Sequence, residues 1–251
     1  MTAPAGERLA ELSRIATLRA AALTSRVAPQ ELGVVGLASI LYRFGGCIPA
    51  SDMDVAWPQL LLRRAEGAVN RDLTGYVRSE TPGWMSWTRP EADVGKLVHK
   101  VYVSPAVPNL AEALPTIFAV AIALGIQAWK VGADVPGLHR PDKVVLYLLT
   151  AAEADASGTA LDAALNGLAP QGVPFTGQLG ESGIVSRGLD RDGTSWRALV
   201  CRALAEALWQ ARDERGGDAA PQEVAEDACA ALAASGYDVA HWMPRSGEAG
   251  R

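Results

Sequence analysis

All four lysines of the 251-residue chain lie between Lys96 and Lys143, while its 19 arginines run from Arg8 to Arg251. Three of the four stand in short, strand-like apolar runs. Lys100 lies in His-Lys-Val-Tyr-Val-Ser, Lys130 in Ala-Trp-Lys-Val and Lys143 in Asp-Lys-Val-Val-Leu-Tyr. An ammonium gives up its proton when it is partly desolvated or set near another cation; a guanidinium does not. Lysines presented from apolar strands toward a basic pocket are therefore candidates for a general base. The alternative for each is a side chain that points outward from a half-buried strand. Lys100 and Tyr102 are two residues apart, so on a strand they share one face and can enter one pocket. Lys143 and Tyr147, four apart, share a face in the same way. Lys130 stands between Trp129 and Val131, where proximity to other cations should lower its pKa.

The elements that must carry these residues follow from pattern and punctuation. Apolar spacing of three to four residues predicts helices over 6–26 and 28–44, with Pro29 near the start of the second. A third helix is expected over 54–69, with Pro58 in its first turn. Between 73 and 104 three β-branched or aromatic runs are separated by Pro and Gly and read as strands. A helix follows Pro108 and Asn109 and runs through Leu124, where Gly125 stops it. Next come a strand carrying Lys130, a loop over 132–141 and a strand over 143–149. A short helix is expected over 158–168, then a Gly-rich irregular segment over 170–192, then helices over 196–215 and 221–235. This order implies an α+β fold: an antiparallel sheet core with inserted helices, flanked by N-terminal and C-terminal helices. The chain reads as a single domain over 1–251. Its parts are an N-terminal helical part (1–72), a core (73–215), a C-terminal helix (216–244) and a loose tail (245–251).

Composition narrows the partners. Hydrophobic content of 49% with 20% charged residues is that of a globular protein. A net charge of −5 argues against nucleic acid or an anionic membrane as partner, both of which need a basic field. A local basic pocket in such a chain suits a small anionic group. The N-terminal residues show no secretory apolar region, and the apolar run over 110–124 is too short to span a bilayer. Cys47, Cys201 and Cys229 are odd in number and have no metal-ligand spacing, and a reduced cytoplasm is the simplest location. His99, His139 and His241 form no HExxH-type pair, so no metal site is expected.

Several short runs, in order, resemble one family. They are Lys100-Val-Tyr102-Val-Ser104, Trp129-Lys130-Val, Arg140-Pro-Asp-Lys143-Val-Val-Leu-Tyr147, Ser186-Arg187-Gly-Leu-Asp-Arg191 and Trp196-Arg197. Together, over roughly 73–215, they resemble the Hop-A-like effector family, which includes stand-alone phosphoserine/phosphothreonine lyase components of class V lanthipeptide and thioamitide biosynthesis. The same order is similar to the more distant phosphothreonine lyases and to the lyase domain of class III lanthipeptide synthetases.

The resemblance implies β-elimination of phosphate from phosphoserine or phosphothreonine, giving dehydroalanine or dehydrobutyrine. A base must take the Cα proton, cations must hold the departing dianion, and a donor must assist the leaving oxygen. No cofactor is implied. Lys130 matches the family's base. Lys100 matches the first residue of the Lys-x-His-Val-Ser motif of the phosphothreonine lyases, where it binds phosphate; the general-acid histidine of that motif is Tyr102 here. The acid is thus Tyr102, His139 beside Arg140, or no residue. Arg140, Lys143 and Tyr147 match an Arg…Lys…Tyr element, with Arg140 gripping phosphate through its fork. Arg187 and Arg191 are expected to close over phosphate from the irregular segment, with Gly188 allowing a tight turn. Arg197 is expected either to add a charge or to pair with Asp190 or Asp192. The aromatic runs around Trp84 and Tyr42 read as core packing. The implied partners are a phosphorylated precursor peptide, a separate kinase and a cyclase. The alternatives are a non-catalytic scaffold that binds a phosphopeptide or leader peptide, and a virulence effector.

Overall fold

Strand alternation builds this protein around a single large sheet. The computed structural model describes residues 7–48, 54–69, 72–216 and 218–245. Seven strands form the sheet: β1 (Val77–Thr81), β2 (Trp84–Thr88), β3 (His99–Val103), β4 (Ala128–Gly132), β5 (Val144–Leu148), β6 (Gly177–Leu179) and β7 (Val185–Leu189). Their order is β1-β2-β4-β5-β3-β7-β6, and every neighbouring pair is antiparallel.

Because successive side chains alternate, each strand divides its residues between two environments. One face presents Met85, Trp87, Trp129, Val131, Val101 and Leu146. It is closed by α3 (Trp57–Ala68), α4 (Leu110–Ala123) and α6 (Ala151–Ala164) into the larger core. The opposite face presents Ser86, Lys130, Val145, Tyr102 and Ser186 side by side across five strands. The next row holds Ala128, Tyr147, Lys100 and Gly188. Beside this face a second core joins α1 (Arg8–Thr24), α2 (Pro29–Arg43), α7 (Trp196–Arg215) and α8 (Pro221–Ala234). The helices before and after the sheet segment therefore pack on each other. A short hairpin, β8 (Tyr237–Asp238) with β9 (Met243–Pro244), follows α8.

The α+β architecture matches the one implied by the sequence, and four local expectations are corrected. The 132–141 loop contains a short helix, α5 (Val135–His139). Asp134 caps it by accepting from the Gly137 N–H, and Pro136 sits in its first turn. An Asp followed by Pro there was a helix start, not only a loop signal. The helix expected over 158–168 begins at Ala151 instead, on a reciprocal capping box of Thr150 and Glu153. Gly158 is interior to it because Leu179 packs against its bare Cα. The segment read as irregular over 170–192 holds β6 and β7. The first run, near 73–77, is mostly a 3-10 turn (Asp72–Gly75), and the strand that follows it is the fully exposed, charged edge β1. Of the tail expected over 245–251, residues 246–251 lie outside the described residues.

α5 reaches the sheet through two glycines. A Cβ on Gly132 would fall 2.4 Å from the Gly137 carbonyl carbon and 2.8 Å from the Leu138 nitrogen. Both are backbone atoms, so neither can rotate away. Gly132→Ala should therefore lower stability by about 1–3 kcal/mol, the range typical of overpacking. Denaturant unfolding checks this, and an unchanged midpoint would mean that α5 moves aside freely.

Candidate active site

The site-facing side of the sheet concentrates cations among aromatic rings. The Lys130 ammonium lies 4.2 Å from the centroid of the Trp84 ring and 5.6 Å from that of Tyr147. Among the described residues none hydrogen-bonds or ion-pairs with it. Burial, then the neighbouring charges of Lys100 and Arg140, bring its pKa down to about 8 against the weaker pull of Asp142 and Asp190. Lys130 is half-buried, so it remains reachable.

Lys100, two strands away, is buried and ion-paired with Asp190 at 2.5 Å, its ammonium 5.2 Å from the centroid of Tyr147. The second oxygen of Asp190 accepts the backbone N–H of Trp196 at 3.0 Å. That bond pins the start of α7 to the residue just after β7 that holds Lys100. Gly188 is part of this junction. It does not make the tight turn expected from the sequence; it lies within β7, where a Cβ would fall 3.0 Å from Trp196 and 3.1 Å from Tyr102.

Arg140 follows α5 directly. Its Nε and Nη2 both donate to Asp142 at 2.9 Å, and its guanidinium stands 4.9 Å from the centroid of Trp84 and 5.9 Å from that of Tyr42. Arg140 and Lys130 thus lie against the same Trp84 ring. Asp142 is only 5% exposed along its side chain. It also accepts the Tyr42 hydroxyl at 2.9 Å and ion-pairs with Arg197 at 3.2 Å. Burial alone would raise its pKa, but Arg197, Arg140 and Tyr42 outweigh that and hold it at about 2. Arg197 is fully buried. It donates to the carbonyls of Pro174 and Tyr42 at 3.2 and 2.6 Å and pairs with Asp142, not with Asp190 or Asp192 as the sequence reading allowed.

Tyr102 is buried under this cluster. Its hydroxyl, like the Oγ of Ser186 beside it on β7, has no hydrogen-bond partner among the described residues. Burial pushes the phenol well above its usual range, and the same cause raises Tyr147.

Other residues singled out from the sequence lie elsewhere. Arg187 is paired across the sheet with Val101, so it emerges on the opposite face, where it meets Asp155 of α6 at 2.5 Å. Arg191 sits in a turn bridged to Thr194, near enough to Tyr237 for its charge to act on that phenol. Lys143 is completely buried and donates to Ser104 Oγ, the Pro105 carbonyl and Gln171 Oε1 at 3.2, 3.1 and 2.6 Å. Gln171 in turn donates to the Gly45 and His139 carbonyls. Lys143 therefore braces the fold. His139 is buried with its Nδ1 at 2.8 Å from the Val135 carbonyl. No cluster of three His, Cys, Asp or Glu among the described residues can hold a metal ion. No helix among them is long and apolar enough to cross a membrane.

Sequence reasoning missed Asp142, the pairing of Asp190 with Lys100, and the roles of Trp84 and Tyr42. The available signal was an acid enclosed in Arg140-Pro-Asp142-Lys143, since an acid between two cations in a mostly apolar stretch is placed to neutralise one of them.

No family model matches the chain, and no curated protein is significantly similar to it. Solved structures are. The effector protein of Pseudomonas syringae pv. tomato strain DC3000 superposes with a TM-score of 0.58 at 13% identity, over 94% of this chain and 98% of that one. The effector protein of Pseudomonas syringae pv. syringae strain 61 gives 0.52 at 13% identity, over 93% and 99%. The chain therefore has the fold of these effector proteins along nearly its whole length. The type III effector and phosphothreonine lyase OspF of Shigella flexneri gives 0.38 at 15% identity, over 60% and 88%. At that score the likeness carries no argument.

Removing the Asp142 carboxylate strands Arg197 in a dry interior. Asp142→Ala should cost about 3–5 kcal/mol, the range for breaking a buried pair. The Asp142 pKa is depressed on folding, from its ordinary value of 3.8 to about 2. Its contribution is thus present above about pH 4 and is lost as pH falls toward 2. Urea unfolding at several pH values should show the gap between wild type and variant closing over that window. A gap that stays constant overturns the assignment.

Proposed function

We propose that this protein is a phosphoserine/phosphothreonine lyase. The observation that carries the reading is Lys130: a reachable amine with no partner among the described residues, held near a pKa of about 8 between Lys100 and Arg140. An amine so placed is neutral often enough near pH 8 to accept a proton, and the two cations beside it suit a dianion.

In this reading Lys130 Nζ takes the Cα proton of the phosphorylated residue. The C–H electron pair becomes the Cα=Cβ double bond, and the Cβ–O bond breaks, releasing phosphate. Arg140 and Lys100 hold the phosphate, each already oriented by a carboxylate. The unmatched hydroxyl of Tyr102 supplies a hydrogen bond toward the departing oxygen; a buried donor without a partner is costly unless a ligand completes it. Tyr147 walls the pocket between the two lysines. Arg187, Arg191 and Lys143 make no substrate contact in this scheme. The substrate we propose is a ribosomally made precursor peptide, phosphorylated by a separate kinase and passed on to a cyclase.

A second reading, a non-catalytic phosphopeptide-binding scaffold, is favoured by one residue: Tyr102 stands where the motif of the more distantly similar phosphothreonine lyases has its acid histidine. Mass spectrometry of a phosphothreonine peptide incubated with the protein separates the two, since only the lyase releases phosphoric acid. Binding without elimination would leave the scaffold reading in place.

Lys130→Ala and Lys130→Arg should both abolish elimination, because neither side chain can accept the proton. An active Lys130→Arg enzyme would sink the base assignment. In wild type, kcat/KM should rise with pH and level off above about 8 as the amine deprotonates. A profile flat between pH 6.5 and 9 is incompatible with an amine base.

Arg140→Ala should weaken binding of phosphorylated over unphosphorylated peptide by about 1.5–3 kcal/mol, the worth of a hydrogen bond to a charged group. Arg187→Ala, on the far face, should leave that difference unchanged. Tyr102→Phe should slow phosphate loss by about 10²–10³, the worth of one hydrogen-bond donor at a developing anion, and less for a better leaving group. A tolerated Tyr102→Phe would transfer leaving-group stabilisation to the cations alone and make His139→Ala the variant to assay.

A further inference from the structure

Next to the cation cluster lies a cleft of about 860 Å³ between α2, α5 and α7. That volume is toward the upper end of the ~300–1,000 Å³ typical of ligand sites. Its walls are largely apolar: Val35 and Ala38 from α2, Pro136 and Pro141 around α5, and Ala198 from α7. Val35 is 80% exposed, an unusual position for a branched aliphatic side chain on a helix.

Two features indicate the occupant. The first is continuity. Arg140, Asp142 and Tyr42 line the cleft and also belong to the cluster around Lys130. Arg140 stands between the two spaces, with Trp84, the ring under Lys130, on one side and Tyr42 on the other. A polypeptide whose phosphorylated residue sits at Lys130 with its phosphate on Arg140 has neighbouring residues that must continue past Arg140. The second is charge. Asp142 is the only acid among the lining residues, and Arg140, Arg197 and Tyr42 already occupy it. Of the cleft's other cations, Arg202 meets only the exposed Glu206, and Arg43 has no ion-pair partner among the described residues.

We propose that this cleft docks the stretch of substrate polypeptide flanking the phosphorylated residue, and that it selects apolar and acidic side chains there. The proposal rests on the lyase reading for the position of the phosphorylated residue. Apolar walls stabilise a buried aliphatic side chain, and the rim arginines favour a carboxylate over an ammonium.

The test is a position-scanned set of phosphothreonine peptides carrying Leu, Glu, Ala or Lys at each flanking position, beside N-acetyl-phosphothreonine methylamide as a substrate with no flanks. Elimination is followed by mass spectrometry and binding by fluorescence anisotropy. On one side of the phosphothreonine, wild type should prefer Leu over Ala and Glu over Lys by about tenfold in kcat/KM, expressed in KM. Ala198→Trp, which puts an indole into the α7 wall of the cleft and narrows it, should erase the Leu preference. Arg43→Glu, an exposed substitution that leaves the fold alone, should invert the Glu-over-Lys preference. Turnover of the flank-free substrate should stay unchanged in both.

No flanking preference in wild type, or preferences that survive both substitutions, overturns the docking proposal while leaving the lyase reading intact. If no peptide is eliminated, the lyase reading fails and anisotropy decides the docking: a Leu preference in binding that Ala198→Trp erases and a Glu-over-Lys preference that Arg43→Glu inverts support it, and equal binding by wild type and variants overturns it. A wild-type dimer in sedimentation that Ala198→Trp disperses would assign the cleft to a second copy of the chain and likewise overturn the proposal.

Discussion

One buried carboxylate sets the terms for the rest of the molecule. Asp142 is reached by Tyr42 from α2, by Arg197 from α7 and by Arg140 from the end of α5. Two guanidiniums and one hydroxyl converge on it in a space nearly closed to water. A buried guanidinium without its acid is among the costliest features a fold can carry. The N-terminal helices, the C-terminal helices and the sheet are thus held in one arrangement by a shared electrostatic need, in addition to the apolar cores on each side.

That arrangement explains how cations come to stand together on one sheet face. Lys100 is matched by Asp190 and Arg140 by Asp142, so each is fixed in place and partly neutralised. Lys130 receives no such partner among the described residues and feels both neighbours at a distance. The inequality is what separates the three chemically. Two cations are held for binding, and one amine is left able to change its protonation state.

Much of this was legible in the chain. The strand carrying Lys130 and the sharing of one face by Lys100 and Tyr102 follow from the period of two, and α7 follows from apolar spacing and falls on the expected residues. What was not legible depended on register between distant strands. Arg187 is one residue from Gly188 and Ser186, which face the site, and that single step sends it to the far side. No local pattern in the sequence reports which parity applies, because β7 was hidden in a Gly-rich segment. Lys143 shares parity with Tyr147, but it sits just before the strand begins, where acceptors from Ser104, Pro105 and Gln171 enclose it. Asp142 escaped notice because its importance lies in partners about 55 and 100 residues away.

Gln171 has a consequence of a different kind. Its amide spans three pieces of chain, the oxygen accepting a hydrogen bond from Lys143 and the nitrogen donating to the carbonyls of Gly45 and His139. The stretch just after α2 is therefore stitched to the sheet by backbone acceptors, which any amino acid at those places would supply. The N-terminal helices are in this sense woven into the core through sequence-independent atoms. A shortened form beginning after residue 54 would lose the Gly45 acceptor together with Tyr42, and with them the closure on the carboxylate side of the sheet.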